Sequence, residues 1–132
     1  MSEPKEIFIV DDDPVVRHIL STVIAGAGYK VLTAPSGTEC LSTMSERVST
    51  KKLPHAILLD YYLQDMSGMD VLSALRHTAE TAHIPVIILS AKTREEMSET
   101  PGEFEPDYYL EKPFKAEVVL GLLETIGEGA TT

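Results

Sequence analysis

Short apolar runs alternate along the chain with longer stretches in which apolar residues recur every three or four positions. The runs are rich in Ile, Leu and Val, which is typical of strands buried on both faces of a parallel sheet. They occupy residues 7–10, 29–34, 56–59, 85–89 and 108–110. We therefore predict five β-strands.

The stretches between these runs have the pattern of amphipathic helices. In the first stretch, the apolar residues that follow the spacing of one helix face are Val16, Ile19, Leu20, Val23, Ile24 and Ala27. Gly26 and Gly28 are expected to end this helix. One-sided patterns predict further helices in residues 40–48, 69–75 and 118–126. The alternation of strands and helices indicates one doubly wound α/β domain.

One segment departs from this alternation. Residues 92–106 should hold the fourth of five helices, but they contain Pro101, Gly102 and Pro106 and few large apolar side chains. Proline removes a helical hydrogen-bond donor, and glycine costs about 1 kcal/mol relative to alanine in a helix. We predict an atypical, short or partly unwound fourth helix with an acidic exposed face.

Length and charge narrow the class of protein. The 132 residues fit one domain, with an ordered core expected at about 5–127 and a flexible tail at 128–132. The net charge of −10 disfavours nucleic acid and anionic membranes as partners and favours divalent cations and basic protein surfaces. Cys40 is the single cysteine, so a disulfide within the chain is excluded. With no apolar run near the roughly 20 residues that span a bilayer, we expect a soluble, cytoplasmic protein.

Polar residues follow four of the predicted strands. In an open parallel sheet, ligands bind beyond the carboxyl ends of the strands, at one edge. The polar residues at this edge are Asp11, Asp12, Asp60, Ser90, Glu111 and Lys112. Two carboxylates about 4 Å apart repel by about 4 kcal/mol at an effective dielectric of about 20. Mg²⁺, which binds carboxylate oxygens and keeps several waters, would neutralise these charges, and the same charges would favour its binding. The sequence therefore predicts a cation site.

Three of these residues also have a purely structural interpretation. Asp60 could be a turn or cap aspartate, Ser90 an N-cap or turn serine, and Lys112 a solvated loop lysine. Taken together, however, they suit phosphoryl transfer. Asp60 would be the acceptor, Lys112 a fixed cation for the phosphoryl group and Ser90 a hydrogen-bond donor to it.

The acidic triplet of the VDDDP stretch divides into two parts. Successive strand residues point to opposite sides, so three adjacent aspartates cannot share one pocket without a bend. Asp13 stands immediately before Pro14, and Asp followed by Pro is a favoured helix start. Asp13 is therefore predicted to cap the first helix, while Asp11 and Asp12 form the metal pair.

Four motifs together resemble the receiver domain of bacterial two-component response regulators, of the single-domain type. They are VDDDP at 10–14, LLDYYLQDMSG at 58–68, ILSAK at 88–92 and YLEKPF at 109–114. Their order, and nearly their spacing, is that of the family over essentially the whole chain. The resemblance implies a (βα)5, flavodoxin-like fold with a five-stranded parallel sheet in the order 2-1-3-4-5.

The resemblance also implies a metal site. Mg²⁺, with Mn²⁺ as a possible substitute, would be bound by the carboxylates of Asp12 and Asp60 and by the backbone carbonyl of Tyr62. Asp11 would act largely through a metal-bound water.

The same resemblance assigns roles in signalling. Asp60 would accept a phosphoryl group from a histidine kinase or phosphotransfer protein. Lys112 would pair with the phosphoryl oxygens, beside a cis Lys112–Pro113 bond. Ser90 would move to hydrogen-bond the phosphoryl group, and Tyr109 would turn inward as the switch.

Two positions depart from the usual family pattern. Gln64 stands where a proline is common, so the loop after Asp60 is expected to be less rigid. Tyr62 puts a large ring where family members often have a small or polar side chain. We hypothesise that this ring shields the phosphoryl group from water and lengthens the lifetime of the phosphorylated form.

The leading interpretation is a phosphorylation-switched signalling module, not an enzyme, that binds an unknown downstream protein and neither nucleic acid nor membrane. The alternative is a Mg²⁺-dependent aspartyl-phosphate phosphatase or phosphotransferase. Such enzymes usually place a second acid two residues after the nucleophile, where this chain has Tyr62. A third interpretation, a scaffold that no longer accepts phosphate, is disfavoured because the pocket residues are intact.

Overall fold

The computed structural model describes residues 4–93, 95–96 and 104–129. These residues form five strands and four helices, numbered here in chain order: β1 (Glu6–Val10), α1 (Pro14–Gly26), β2 (Lys30–Ala34), α2 (Gly37–Thr50), β3 (Ala56–Asp60), α3 (Gly68–Arg76), β4 (Val86–Ser90), β5 (Tyr108–Glu111) and α4 (Ala116–Gly129). All five predicted strands are confirmed to within one residue at each end.

The strands form one parallel sheet in the order β2-β1-β3-β4-β5, as the resemblance implied. Strand β3 lies at the centre, and each residue of β3 and β4 is buried. In the sheet register, Val10 of β1 lies beside Leu59 of β3, and Asp60 lies beside Leu89 of β4. The carboxyl ends of three neighbouring strands therefore meet at one edge.

Two hydrophobic clusters cover the two faces of the sheet. One packs between the sheet and helices α2 and α3, and the other packs between the sheet and helices α1 and α4. Neighbouring residues in a strand alternate between them, so Phe8 joins the first cluster and Ile9 the second. Tyr109 and Tyr108 divide in the same way, so the two rings face opposite sides of the sheet. Each fully buried large side chain contributes about 1.5–3 kcal/mol to the hydrophobic free energy.

Helix α1 begins as the sequence predicted. Asp13 has an extended backbone, its carboxylate accepts a 2.9 Å hydrogen bond from the N–H of Val15, and Pro14 is the first helical residue. The helix ends at Gly26, and Gly28 follows with a φ of 99°, a conformation that favours glycine. The prediction that Asp13 caps this helix is confirmed.

The apolar stripe of α1 is wider than the face it buries. Leu20 and Ile24 are buried, whereas Ile19 is 55% exposed. Ile19 precedes Leu20 by one residue, which on a helix is a rotation of about 100°, so it lies at the flank of the buried face. Val15, one turn before Ile19, is 62% exposed.

Within residues 92–106, where an atypical fourth helix is predicted, residues 94 and 97–103 fall outside the described residues, so that prediction stays a prediction. Two residues after position 103 contact the end of α3. Arg76 forms a 2.8 Å ion pair with Asp107, and the rings of His77 and Phe104 meet edge to face at 5.3 Å.

Helix α4 continues through Gly129, two residues into the stretch predicted as a tail. Residues 130–132 fall outside the described residues, so the boundaries of the ordered core stay a prediction. Among the helices that the structure describes, none is long and apolar enough to cross a membrane.

Candidate functional site

Three carboxylates converge at the carboxyl ends of β1 and β3. Asp11, Asp12 and Asp60 each contribute one oxygen atom to a group in which these atoms lie within 4.8 Å of one another. Asp11 is fully buried, Asp60 is 6% exposed and Asp12 is partly exposed. The pairing of β1 with β3 brings the three together, since Val10 and Leu59 are neighbours in the sheet.

Lys112 reaches into this group from beyond the end of β5. Its Nζ lies 3.3 Å from Asp11 Oδ2 and 3.3 Å from Asp60 Oδ1. The backbone N–H of Lys112 donates a 2.7 Å hydrogen bond to the carbonyl of Ser90, which continues the pairing of β5 with β4. The Lys112–Pro113 peptide bond is cis, as the resemblance implied.

The electrostatics of the group disfavour ionised Asp60. Burial, then the charge of Asp11 and to a smaller extent that of Asp12, raises the pKa of Asp60 from 3.8 to about 6, against the opposing effect of Lys112. Burial opposes the charged form of Lys112, but the charges of Asp11 and Asp60 outweigh it, so the pKa of Lys112 is raised. The ammonium group therefore stays charged. Its single positive charge does not neutralise the three carboxylates of the group.

The donor set fits a small divalent cation. Three carboxylates against one ammonium leave an excess of two negative charges, and each available ligand atom in the group is an oxygen. Mg²⁺ prefers such oxygen ligands and usually binds through one or two carboxylates and waters. The partial exposure of Asp12 leaves a path for the ion and its waters.

The loop between β3 and α3 is closed at its base. The N–H of Gly68 donates a 2.7 Å hydrogen bond to the carbonyl of Tyr61, and Tyr62 pairs with Ser67 across the loop. Gly68 packs directly on the backbone of Asp60, where a Cβ atom would collide with the Asp60 carbonyl oxygen. These contacts hold the base of the loop without the proline that the family often has at position 64.

Ser90 and Tyr109 lie on either side of one residue, Lys92. Ser90 is buried, and its Oγ accepts a 3.0 Å hydrogen bond from the N–H of Lys92, so its structural interpretation as a turn serine also applies. The hydroxyl of Tyr109, which is partly buried, donates a 3.0 Å hydrogen bond to the carbonyl of Lys92. The switch roles of both residues stay predictions.

An aromatic pair stands beside the site. The rings of Tyr61 and Tyr62 meet edge to face at 4.7 Å, and the ammonium of Lys92 lies 5.1 Å and 5.8 Å from their centroids. Tyr62 is 55% exposed. Its ring is therefore held by Tyr61 and Lys92 at the rim of the site.

Sequence reasoning missed two contacts that shape the site. Arg17 donates a 2.7 Å hydrogen bond from its guanidinium to the carbonyl of Asp11, and Asp65 binds the start of helix α2. The position of Arg17, one turn into the helix that follows Asp11 and Asp12, was a signal for this contact. Asp65 stands in a polar loop, where an aspartate is ordinary, and only its tertiary partner distinguishes it.

Comparisons with known proteins agree with these features. Residues 7–124 match the family described as response regulator receiver domain. The chain is 32% identical over 118 residues to the probable transcriptional regulatory protein TcrX of Mycobacterium tuberculosis, covering 89% of this chain and 47% of that protein. It is 30% identical over 122 residues to the phosphate regulon transcriptional regulatory protein PhoB of Pseudomonas aeruginosa, covering 92% and 51%.

Solved structures share the fold over nearly their whole length. The chemotaxis protein CheY4 of Vibrio cholerae superposes with a TM-score of 0.81 at 26% identity, covering 93% of this chain and 98% of that one. A putative response regulator from Chloroflexus aurantiacus gives a TM-score of 0.77 at 29% identity, covering 93% and 97%.

The matched region includes the acidic group, Lys112, Ser90 and Tyr109. The chain spans about half the length of the curated relatives that it matches. On its sequence and on its fold, the chain belongs to the response regulator receiver domain family.

Proposed function

We propose that this receiver domain is a phosphorylation-controlled switch in which Asp60 accepts a phosphoryl group from a histidine kinase or phosphotransfer protein. The reaction would depend on Mg²⁺, and the phosphorylated form would bind a downstream protein with altered affinity. The observation that carries the proposal is the ammonium of Lys112, 3.3 Å from both Asp11 and Asp60 in an otherwise acidic, largely buried group.

Asp60 is suited to act as the nucleophile. Its pKa of about 6 leaves most of the carboxylate ionised at neutral pH. One of its oxygens would form the new P–O bond while the P–N bond of a phosphohistidine breaks, and the departing imidazole takes up a proton. Phosphoryl transfer of this kind depends mainly on positioning and on neutralisation of charge.

Lys112 would supply a fixed positive charge for the phosphoryl oxygens. Its ammonium already contacts Asp60 Oδ1, so a phosphoryl group on Asp60 would lie within its reach. Ser90, at the end of the neighbouring strand, offers a hydroxyl donor from a second side.

Asp11, Asp12, Asp60 and the backbone carbonyl of Tyr62 would hold the cation. When bound, Mg²⁺ would neutralise charge on the phosphoryl oxygens and on the acidic group. The buried Asp11 carboxylate is already engaged, because Oδ1 accepts a 2.9 Å hydrogen bond from the N–H of Asp13 and Oδ2 contacts Lys112. This supports a role for Asp11 through a bound water, with Asp12 as the more accessible ligand.

The phosphodonor protein would contact helix α1. Val15 and Ile19 are 62% and 55% exposed, lie one turn apart, and belong to the helix that starts directly after the acidic pair. Apolar side chains at this position, next to the acceptor, suit an apolar helix face on the donor protein.

Intact-mass measurement tests the proposal directly. After incubation with Mg²⁺ and a small donor such as acetyl phosphate, the protein should gain the mass of one phosphoryl group. The gain should disappear with EDTA and in Asp60→Asn. No gain in the wild type would contradict the proposal, and a gain that survives in Asp60→Asn would move the site elsewhere. Turnover of phosphate esters by the purified protein would instead favour the phosphatase alternative.

A further inference from the structure

The carboxylate of Asp65, in the loop between β3 and α3, binds the first turn of helix α2. Its Oδ1 accepts a 3.0 Å hydrogen bond from the N–H of Gly37. Its Oδ2 accepts 2.8 Å and 2.5 Å hydrogen bonds from the N–H and the hydroxyl of Thr38. The helix has its own N-cap, Ser36, which accepts from the N–H of Glu39. The three bonds to Asp65 therefore join two elements that are distant in sequence.

The charge of Asp65 suits this contact. A helix N-terminus carries a partial positive charge and unpaired N–H groups, so it favours a carboxylate. The hydroxyl of Thr38, and then the N–H groups of Thr38 and Gly37, lower the pKa of Asp65 to about 2. Asp65 therefore stays ionised and bound well below neutral pH, although its side chain is exposed.

Close packing accompanies the hydrogen bonds. A Cβ atom at Gly37 would stand 2.6 Å from Sδ of Met66 and 3.1 Å from a methyl group of Val71. Met66 follows Asp65 directly and packs against the core cluster beneath α2 and α3. A side chain at position 37 would therefore force the side chain of Met66 to move.

The loop is thus attached at both its base and its tip. At the base, Gly68 binds the carbonyl of Tyr61, and Tyr62 pairs with Ser67. At the tip, Asp65 binds α2. Tyr62 thus belongs to the base of the loop, three residues before the tip contact at Asp65.

We infer that Asp65 is a positioning residue of the phosphorylation site: by fixing the loop to α2, it keeps the backbone carbonyl of Tyr62 in place for the cation. The inference rests on the proposed function, in which that carbonyl is an oxygen ligand of Mg²⁺. The hydrogen bonds of Asp65 supply a restraint that a proline at position 64 would otherwise supply.

The coupling acts in both directions. If fixing the loop to α2 favours Mg²⁺ binding, then Mg²⁺ binding favours the contact between the loop and α2 to the same extent. Mg²⁺ alone should therefore slow amide hydrogen exchange at Gly37 and Thr38, although neither residue belongs to the acidic group.

The test compares Asp65→Asn with a matched control, Asp70→Asn. Asp70 accepts a 3.3 Å hydrogen bond from the N–H of Ser67 in the capping box of α3. The amide oxygen of Asn can still accept this bond, so the control removes the same charge nearby, leaves the pairing of Ser67 with Tyr62 in place and does not touch α2. Mg²⁺ affinity is measured by titration calorimetry without a phosphoryl donor. Asp65→Asn should bind Mg²⁺ about tenfold more weakly than the wild type. A loss of this size is typical when a residue that orients a metal ligand is replaced. Asp70→Asn should change the affinity little.

A second variant guards against misfolding. Thr38→Val removes one of the three bonds and keeps both backbone donors, so its affinity should lie between those of the wild type and Asp65→Asn. Unchanged Mg²⁺ affinity in both Asp65→Asn and Thr38→Val, or an equal loss in Asp70→Asn, would overturn the inference. A wild type that does not bind Mg²⁺ would instead overturn the proposed function itself.

Discussion

The hydroxyl of Tyr109 donates a 3.0 Å hydrogen bond to the backbone carbonyl of Lys92. The N–H of the same Lys92 donates to Oγ of Ser90. The two residues that the family resemblance assigns to the switch therefore hold a single residue between them. If Ser90 Oγ turns toward a phosphoryl group, the N–H of Lys92 loses its acceptor. The backbone of Lys92 is then free to shift, and its carbonyl, which accepts from the Tyr109 hydroxyl, shifts as well.

Fluorotyrosine labelling tests this coupling. We predict that Mg²⁺ with beryllium fluoride, a phosphoryl analogue, shifts the fluorine resonance of Tyr109, which is assigned by its loss in Tyr109→Phe. In Ser90→Ala the shift should be largely lost, because Lys92 then has no side-chain acceptor to lose. A full shift in Ser90→Ala would show that Tyr109 responds without Ser90.

Asp60→Asn should stabilise the metal-free protein in a pH-dependent way. Burial and the charge of Asp11 raise the pKa of Asp60 to about 6, so between about pH 4 and 6 the folded chain binds more protons than the unfolded chain. The contribution of Asp60 to the free energy of unfolding therefore falls as the pH rises through this window. Above it, we predict that Asp60→Asn is more stable by about 3 kcal/mol.

Urea unfolding in EDTA measures this difference. At about pH 3 the two proteins should have nearly equal free energies of unfolding, because Asp60 is then largely neutral in both folded and unfolded chains. The same stabilisation at both pH values would mean that packing, not charge, separates the two proteins.

Lys112→Met should separate metal binding from phosphoryl transfer. The ammonium of Lys112 lies 3.3 Å from Asp11 and Asp60 and repels a cation bound between them. Without this positive charge, Mg²⁺ affinity should rise. The labelling rate with acetyl phosphate should fall by about a hundredfold, since a fixed donor to the transferred group is lost.

Calorimetry gives the affinity, and the initial rate of mass gain gives the labelling. Lys115→Met, at an exposed lysine near the start of α4, is the control and should change neither quantity. A joint fall in affinity and labelling for Lys112→Met would mean that the lysine helps to organise the cation site.

Tyr62→Asn should shorten the lifetime of the phosphorylated protein. The ring is held at the rim of the site by Tyr61 and Lys92, where it can limit the access of water to Asp60. Tyr62→Phe keeps the ring and should retain most of the lifetime. The measurement is the decay of the phosphorylated mass after removal of the donor, and an unchanged decay rate in Tyr62→Asn would rule out shielding.

Replacing Val15 and Ile19 by serine should weaken transfer from a protein donor only. The two side chains are exposed, so the fold should tolerate the change. Transfer from a phosphorylated phosphotransfer domain that labels the wild type should slow, because the apolar contact on α1 is lost. Labelling by acetyl phosphate, which needs no docking surface, should stay the same. Equal slowing with both donors would indicate damage to the acceptor site.

Much of the fold could be predicted because each strand carries its own signal. The residues 56–60 form a short, nearly continuous apolar run that ends in an aspartate, which fits a central strand buried on both faces. The division of the acidic triplet followed from local geometry, because Asp13 and Pro14 form a helix start within two residues.

What sequence reasoning missed depends on tertiary contacts. The partners of Asp65 lie in α2, 27 and 28 positions away, and no local pattern indicates them. The exposure of Ile19 likewise depends on how α1 rests against the sheet, since the residue fits the apolar spacing as well as Leu20 does.

Asp60 is the last paired residue of the central strand, with β1 on one side of that strand and β4 on the other. A phosphoryl group would thus be attached to one of the least deformable parts of the molecule. The acceptor itself has little freedom to move, so the signal must be carried by the residues that surround it. The sheet would stay rigid on phosphorylation, and only the residues at the rim of the site would change position.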